Sequence, residues 1–376
     1  MNLSLDINSL ALLPAQEKAL PQGAVTWRQA ALFFTMQIDA ALDVARLQQA
    51  LVQWCERNDA LRLRVGHAAG FRGLRQYVAQ QVPEPRLTRI AGNDEQAREA
   101  WLNCAFDLQS DAPVAVLLSE QAPAQWQLTF AIARPWVDAG SLPRLAESLA
   151  DCYHNVASDE EHGEFDQYLQ WRNEVIQDED ASTARHYWSN LFEAGQTPLQ
   201  LPWRKAQGTG PQLPIQRREL PLDAQLLASL QTLNQPLERV LQAAWWLLLA
   251  RLEGQPRQHV EWQLDSRQEY EFFADTAGVF EKHLPLLIEA PADSSFRDWL
   301  QALAERLEQH ATWQEYYSPE LIPALGAATC GFSLHPSQAV LPTGWRVMKA
   351  PVPDSDLELL LRVDLASATA FLDYQP

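Results

Sequence analysis

The side chains of this sequence best suited to moving a proton or attacking a carbonyl near neutral pH are eight histidines and four cysteines. The cysteines (Cys55, Cys104, Cys152, Cys330) stand far apart, with no CxxC or other ligand spacing, and read as buried thiols of a reducing compartment. His67, His154, His162, His186, His259 and His310 form no constellation with a nucleophile or an acid. No Gly-x-Ser-x-Gly elbow, HExxH pair, phosphate loop or metal-ligand spacing occurs. The segment that draws the eye is Ala133-Arg134-Pro135-Trp136-Val137-Asp138-Ala139-Gly140. Its Asp138 could be a catalytic carboxylate or half of an ion pair. Arg134 cannot act as a base, because a guanidinium stays protonated at any ordinary pH. It could hold an oxyanion or carboxylate as a fixed cation, or pair with an acidic neighbour.

The position of this segment follows from its neighbours. Trp126, Leu128, Phe130 and Ile132 alternate with Gln127, Thr129 and Ala131, which predicts a strand. From Ser141 the spacing Leu142, Leu145, Leu149, Cys152 predicts a helix, with Pro143 tolerated in its first turn. A strand end feeding a helix is where α/β proteins often gather chemistry, though position alone does not make a site. Asp43 is an expected N-cap for a helix carrying Val44, Leu47, Leu51 and Trp54, and Ala60 to Val65 alternates like a strand with Arg62 and Arg64 on its polar face. Phe165, Tyr168, Leu169, Val175 and Ile176 mark another helix. The second half repeats this grammar, with helices around Leu237–Leu252 and Phe296–Leu307, and strands around Val260–Leu264, Leu284–Ile288 and Leu357–Val363. The class is therefore α/β or α+β in two similar lobes, 1–175 and 176–376, with a Gly- and Pro-rich crossing linker at about 194–214.

Composition limits the partners. The hydrophobic share is 47% and the charged share 20%, as in an ordinary globular protein. A net charge of -19 repels nucleic acid and anionic membrane faces, so an acidic partner would need a locally basic docking patch. The start MNLSLDINSL has neither the basic nor the apolar region of a signal peptide, and Val240–Leu252 is too short to span a bilayer, so a cytoplasmic location is expected.

Several segments resemble the condensation domains of nonribosomal peptide synthetases, relatives of chloramphenicol acetyltransferase. Pro14-Ala15-Gln16-Glu17-Lys18 resembles the opening "PAQER", and Glu56-Arg57-Asn58-Asp59-Ala60-Leu61-Arg62 resembles "RHExLR" with Asn58 in place of histidine. Phe165–Trp171 is similar to "YxDYAxW", and Tyr187-Trp188 with Leu201-Pro202 to "YW…LP". Ala277-Gly278-Val279-Phe280 and Leu284-Pro285-Leu286 resemble "GxFVNTLPLR", with Glu281, Lys282 and His283 at its centre, and Arg267 stands where the family has an arginine upstream.

The resemblance implies two acetyltransferase-like lobes in a V-shaped pseudo-dimer, with a central tunnel to which carrier proteins bring thioester-linked substrates on phosphopantetheine arms. It places the family's HHxxxDG motif on Ala133–Ala139, where both histidines are missing, Asp138 is kept and the glycine has become Ala139. In that frame Asp138 is expected to be structural, with Arg62 as its partner across the fold. Trp136, Lys282 and His335 are candidates for lining the tunnel, and His283 is the candidate substitute base. The chain itself calls for no cofactor and no metal. The expected role is a degenerate, non-catalytic domain that docks a carrier protein, an adenylation domain or a tailoring enzyme. The alternative is an acyl or aminoacyl transferase that works without the usual histidine, by positioning an already unprotonated amine. A stand-alone acetyltransferase fits less well, since it relies on the same missing histidine. The family's further strand-to-helix segment after a tyrosine like Tyr374 does not occur before Pro376, so the sequence is expected to be either a shortened relative or, as favoured, the N-terminal piece of a longer synthetase followed by adenylation and carrier domains.

Overall fold

The computed structural model describes residues 9–21, 23, 25–82, 84–156, 163–191, 198–201, 215–255, 257–289, 293–322, 325–334, 338–348 and 357–376. The linker expected at 194–214 lies almost wholly outside these residues, as do His162 and His335. The chain forms two compact units, one of residues 1–174, 267–281 and 338–351, the other of 175–266, 282–337 and 352–376. They are not two contiguous halves, because two segments from beyond residue 176 complete the first unit.

The first unit is built on a five-stranded sheet in the order Trp345–Val347, Ala31–Ile38, Gln125–Ala133, Val114–Ala122, Arg86–Ala91. All its pairings are antiparallel except the last, which is parallel. The central strand ends at Ala133 as its alternation predicts, but its two faces are both covered. Ala131 and Ala133 are as buried as Phe130 and Ile132. Phe34 and Phe130 are direct cross-strand partners whose rings stack 4.4 Å apart, the kind of pair that fixes register. Helix Val44–Arg57 begins where Asp43 accepts hydrogen bonds from the Ala45 and Arg46 amides at 2.9 and 3.1 Å. It packs on helix Ser141–His154, and the Trp54 indole donates to the Leu145 carbonyl at 2.9 Å.

The strand expected over Ala60–Val65 is displaced. Asp59–Arg62 is a 3-10 turn, and the strand runs Leu63–His67, paired in a two-stranded hairpin with Leu74–Val78. Arg64 does not lie on a polar face but is buried. The turn breaks the two-residue period that the alternation of leucine and arginine suggested.

The second unit has a six-stranded sheet in the order Glu281–Glu289, Arg257–Asp265, Cys330–Leu334, Leu359–Asp364, Thr369–Tyr374, Gln216–Pro221. Cys330–Leu334 is parallel to both of its neighbours, and the last two pairings are antiparallel. Helices Leu237–Glu253 and Phe296–Trp313 bring Val240, Trp246, Leu249, Trp299, Leu303 and Leu307 into its core. Buried Asp373 is held by two cations on adjacent strands, Arg217 at 2.7 Å and Arg362 at 3.0 Å. Both units therefore combine a mixed sheet with packed helices, an α/β class.

Candidate functional site

The Ala133–Gly140 loop is fixed from several sides. Its backbone leaves the strand with Ala133 N–H on the Pro113 carbonyl and Arg134 N–H on the Ala30 carbonyl, at 2.8 and 3.0 Å. Buried Gln16 donates from Nε2 to the Pro135 carbonyl at 2.9 Å, while its Oε1 accepts from Leu13 N–H at 2.8 Å. The glutamine of the Pro14–Lys18 segment thus ties the chain start to the loop.

Asp138 is the centre of the arrangement. Its Oδ1 accepts from Ser141 N–H at 2.9 Å and from the Arg267 guanidinium at 2.6 Å. Its Oδ2 accepts from Arg267 at 3.0 Å, Phe280 N–H at 2.7 Å and Glu281 N–H at 2.8 Å. Ser141 Oγ lies 2.8 Å from both Asp138 Oδ1 and the Gly278 carbonyl, and with one hydroxyl hydrogen it donates to one of them at a time. It also accepts from Arg267 at 2.7 Å and Gly278 N–H at 3.0 Å. Arg267 is 0% exposed, donates from Nε to the Thr276 carbonyl at 2.9 Å and lies over the Phe280 ring at 4.4 Å. Burial by itself pushes the Asp138 carboxyl up, but the Arg267 charge and the amides of Phe280 and Glu281 outweigh it and hold the group below its usual range. A carboxylate accepting from so many donors is held ionised and has no lone pair left for a reacting proton. Its geometry is that of a brace.

The brace corrects one expectation. The partner of Asp138 is Arg267, not Arg62, whose buried Nε makes no hydrogen bond among the described residues. Arg267 is carried into the first unit by the 267–281 segment. That segment packs closely there: a Cβ on Gly278 would lie 2.2 Å from the Phe165 ring, and one on Gly163 2.4 Å from the Phe273 ring. Thr276 Oγ1 also donates to the Gly163 carbonyl at 2.6 Å. Asp59 adds to the same region by capping helix Phe165–Val175. Its two oxygens accept from Phe165 and Asp166 N–H at 3.1 and 2.7 Å, and burial pushes its pKa up to about 6 against the pull of those amides. Neither the Gly278–Phe165 fit nor the Asp59 cap has a sequence signature, because each depends on chain segments far apart.

The other expected residues are dispersed. Arg134 is half-buried and donates from Nε to the Ala31 carbonyl at 3.1 Å. Ala133 is buried and Ala139 half-buried on either side. Trp136, expected among tunnel-lining side chains, is 0% exposed inside the first unit's core and so presents no face to a substrate. Lys282, expected in the same role, is ion-paired with Glu315 within the second unit, where both side chains are largely buried. His283, also in the second unit, is 41% exposed at its side chain and bonds from Nδ1 to Glu261 Oε1 at 2.7 Å. His335 lies outside the described residues.

His310 is a core histidine. In its neutral form Nε2–H donates to the Pro285 carbonyl at 3.1 Å and Nδ1 accepts from the Tyr187 hydroxyl at 2.8 Å. Burial pushes its pKa down to about 4. Among the described residues no group of three His, Cys, Asp or Glu side chains is placed to hold a metal ion.

Comparison with known proteins agrees with this scaffold. The family model described as "Condensation domain" matches residues 9–328. Tyrocidine synthase 3 of Brevibacillus parabrevis is 25% identical over 77% of this chain, which spans 4% of that protein. Tyrocidine synthase 2 of the same organism is 23% identical, with 8% of its length spanned. Among solved structures, the X-domain from teicoplanin biosynthesis superposes with a TM-score of 0.79 at 19% identity, covering 99% of this chain and 90% of that one. The starter condensation domain of rhizomide synthetase RzmA gives 0.76 at 19% identity, over 98% and 90%. With its sheets, its braced loop and a family match over most of its length, this chain belongs to the condensation domain family of nonribosomal peptide synthetases.

Proposed function

We propose that this domain forms no peptide bonds itself and serves as a docking and structural platform in nonribosomal peptide biosynthesis, for a carrier protein, an adenylation domain or a tailoring enzyme. The observation that carries the reading is that position 134 holds a guanidinium, which donates to the Ala31 carbonyl, while Asp138 is fully engaged by Arg267. Attack of an amine on a thioester needs a group that can accept a proton near neutral pH. Arginine cannot, and Asp138 has its lone pairs occupied. The brace persists although the base is lost, which is what a scaffold kept for binding requires. One solved structure similar to this chain is a complex of the X-domain and OxyB from teicoplanin biosynthesis, with a TM-score of 0.78 at 20% identity. A chain of this fold can thus bind another protein. Substrates, where delivered, would arrive on the phosphopantetheine arm of a partner, so this chain needs no cofactor of its own. No helix among the described residues is long and apolar enough to cross a membrane.

A second reading rests on one observation, the His283–Glu261 pair. With Nδ1–H donated to a carboxylate, the neutral ring carries its lone pair on Nε2, the arrangement of a general base. An acyl or aminoacyl transferase could draw on it. The test uses donor and acceptor carrier proteins loaded with aminoacyl thioesters, with product followed by mass spectrometry and binding by titration. The platform reading expects binding and no product above the domain-free background. Turnover that disappears in His283→Ala would establish the second reading instead.

A further inference from the structure

We infer that the hairpin Leu63–Val78 is a docking surface for an acidic protein face, with Phe71 as its apolar anchor and Arg72 as its leading charge. This inference rests on the platform reading and names where a partner would bind. From Ala60 to Pro83 the sequence has four arginines, one histidine and neither Asp nor Glu, in a chain whose net charge is -19. Of those arginines Arg72 is exposed, Arg62 and Arg75 are half-buried and Arg64 is buried. Arg28, Arg89, Arg144 and Arg346 of the same unit each reach a carboxylate, whereas Arg62, Arg64, Arg72 and Arg75 are in no ion pair among the described residues.

The tip of the hairpin is built to present. Gly70 and Gly73 turn it with φ of +84° and +85°, a conformation that L side chains rarely adopt. Between them Phe71 is 54% exposed. The Arg75 guanidinium stands 4.1 Å over its ring and is itself bonded to the Ser9 backbone carbonyl, so the ring is held outward instead of folding back. Arg72, the next residue, is exposed, as is His67 at the end of the first strand. A large exposed aromatic with Arg75 over its ring and Arg72 next to it, neither in an ion pair among the described residues, has the composition of a binding hot spot, and it complements carboxylates around an apolar patch. On an otherwise acidic protein it is also the place where an acidic partner meets attraction at close range.

The test titrates the full chain with a fluorescently labelled, apo carrier-protein domain of net negative charge. The wild type is expected to bind, and raising salt is expected to weaken it. Phe71→Ala and Arg72→Glu each lose about tenfold in affinity, and Arg72→Glu also flattens the salt dependence. Arg218→Glu, an exposed cation on the second unit, keeps wild-type affinity. Binding that survives both hairpin substitutions overturns this assignment and leaves the platform reading standing. Absence of binding by the wild type overturns both for this class of partner. Retention on phosphatidylserine vesicles, lost in Arg72→Glu, with no binding of the acidic protein, would make the hairpin a lipid contact and overturn it as well.

Discussion

Arg267 grips Asp138 with two guanidinium nitrogens, at 2.6 and 3.0 Å, across 129 positions of sequence and with both side chains buried. Breaking such a pair from one side leaves an uncompensated buried charge, which costs about 3–5 kcal/mol. Asp138→Asn and Arg267→Met are each expected to destabilise by that order in urea denaturation. The double variant Asp138→Asn/Arg267→Met should fall short of their sum by more than about 1 kcal/mol. Strict additivity would show that the pair does not act as a unit.

His310 and Asp59 should contribute to the acid response in opposite directions. Folded His310 has a pKa of about 4 against an ordinary 6.5. The unfolded chain takes up the proton first, so the second unit loses stability as pH falls from about 6.5 to about 4, by about 3 kcal/mol. Folded Asp59 titrates at about 6 against an ordinary 3.8. There the folded chain takes up the proton first, so this group's contribution to the first unit rises as pH falls from about 6 to about 4. Amide exchange in helix Phe296–Trp313 should therefore quicken with acid relative to helix Phe165–Val175. His310→Gln should remove the slope in the former.

Packing at Gly278 is tight enough to report on the bound segment. An alanine there meets the Phe165 ring, and overpacking of this kind costs about 1–3 kcal/mol. Gly278→Ala should lower the melting temperature, and adding Phe165→Leu should recover part of the loss. A Gly278→Ala protein as stable as wild type would mean the segment can shift without cost.

Gln16 gives a fourth measurement. Gln16→Leu strands Leu13 N–H and the Pro135 carbonyl in a buried setting, at about 1–3 kcal/mol for an unsatisfied polar group. Chemical denaturation reads the loss directly. Near-neutral behaviour would show that solvent reaches the 133–140 loop.

What could be read ahead of the structure followed from local periodicity and from ordered motifs. The Asp43 cap and its helix, the strand ending at Ala133, and the helix starting at Ser141 each depend on a run of neighbours, and each is where the pattern put it. The Ala60–Val65 alternation failed because a 3-10 turn consumed its first residues. Asp138 was recognisable as structural, but its partner was not. Two arginines were available at suitable motif positions, and only the path of the 267–281 segment decides between them. The full burial of Trp136 was not fixed by its sequence position for a related reason. Burial on a strand end or in a loop is set by what packs over it, and a single sequence does not show that.

The interleaving of segments bears on how the polypeptide emerges from the ribosome. Its first 174 residues contain most of the first unit, yet neither the cation that meets Asp138 nor the edge strand Trp345–Val347 has been synthesised when they appear. A fragment ending there would hold a carboxylate facing an empty cradle. Co-translational maturation of this half must wait until the strand Trp345–Val347 has been made, and expression boundaries drawn near residue 174 should yield aggregates.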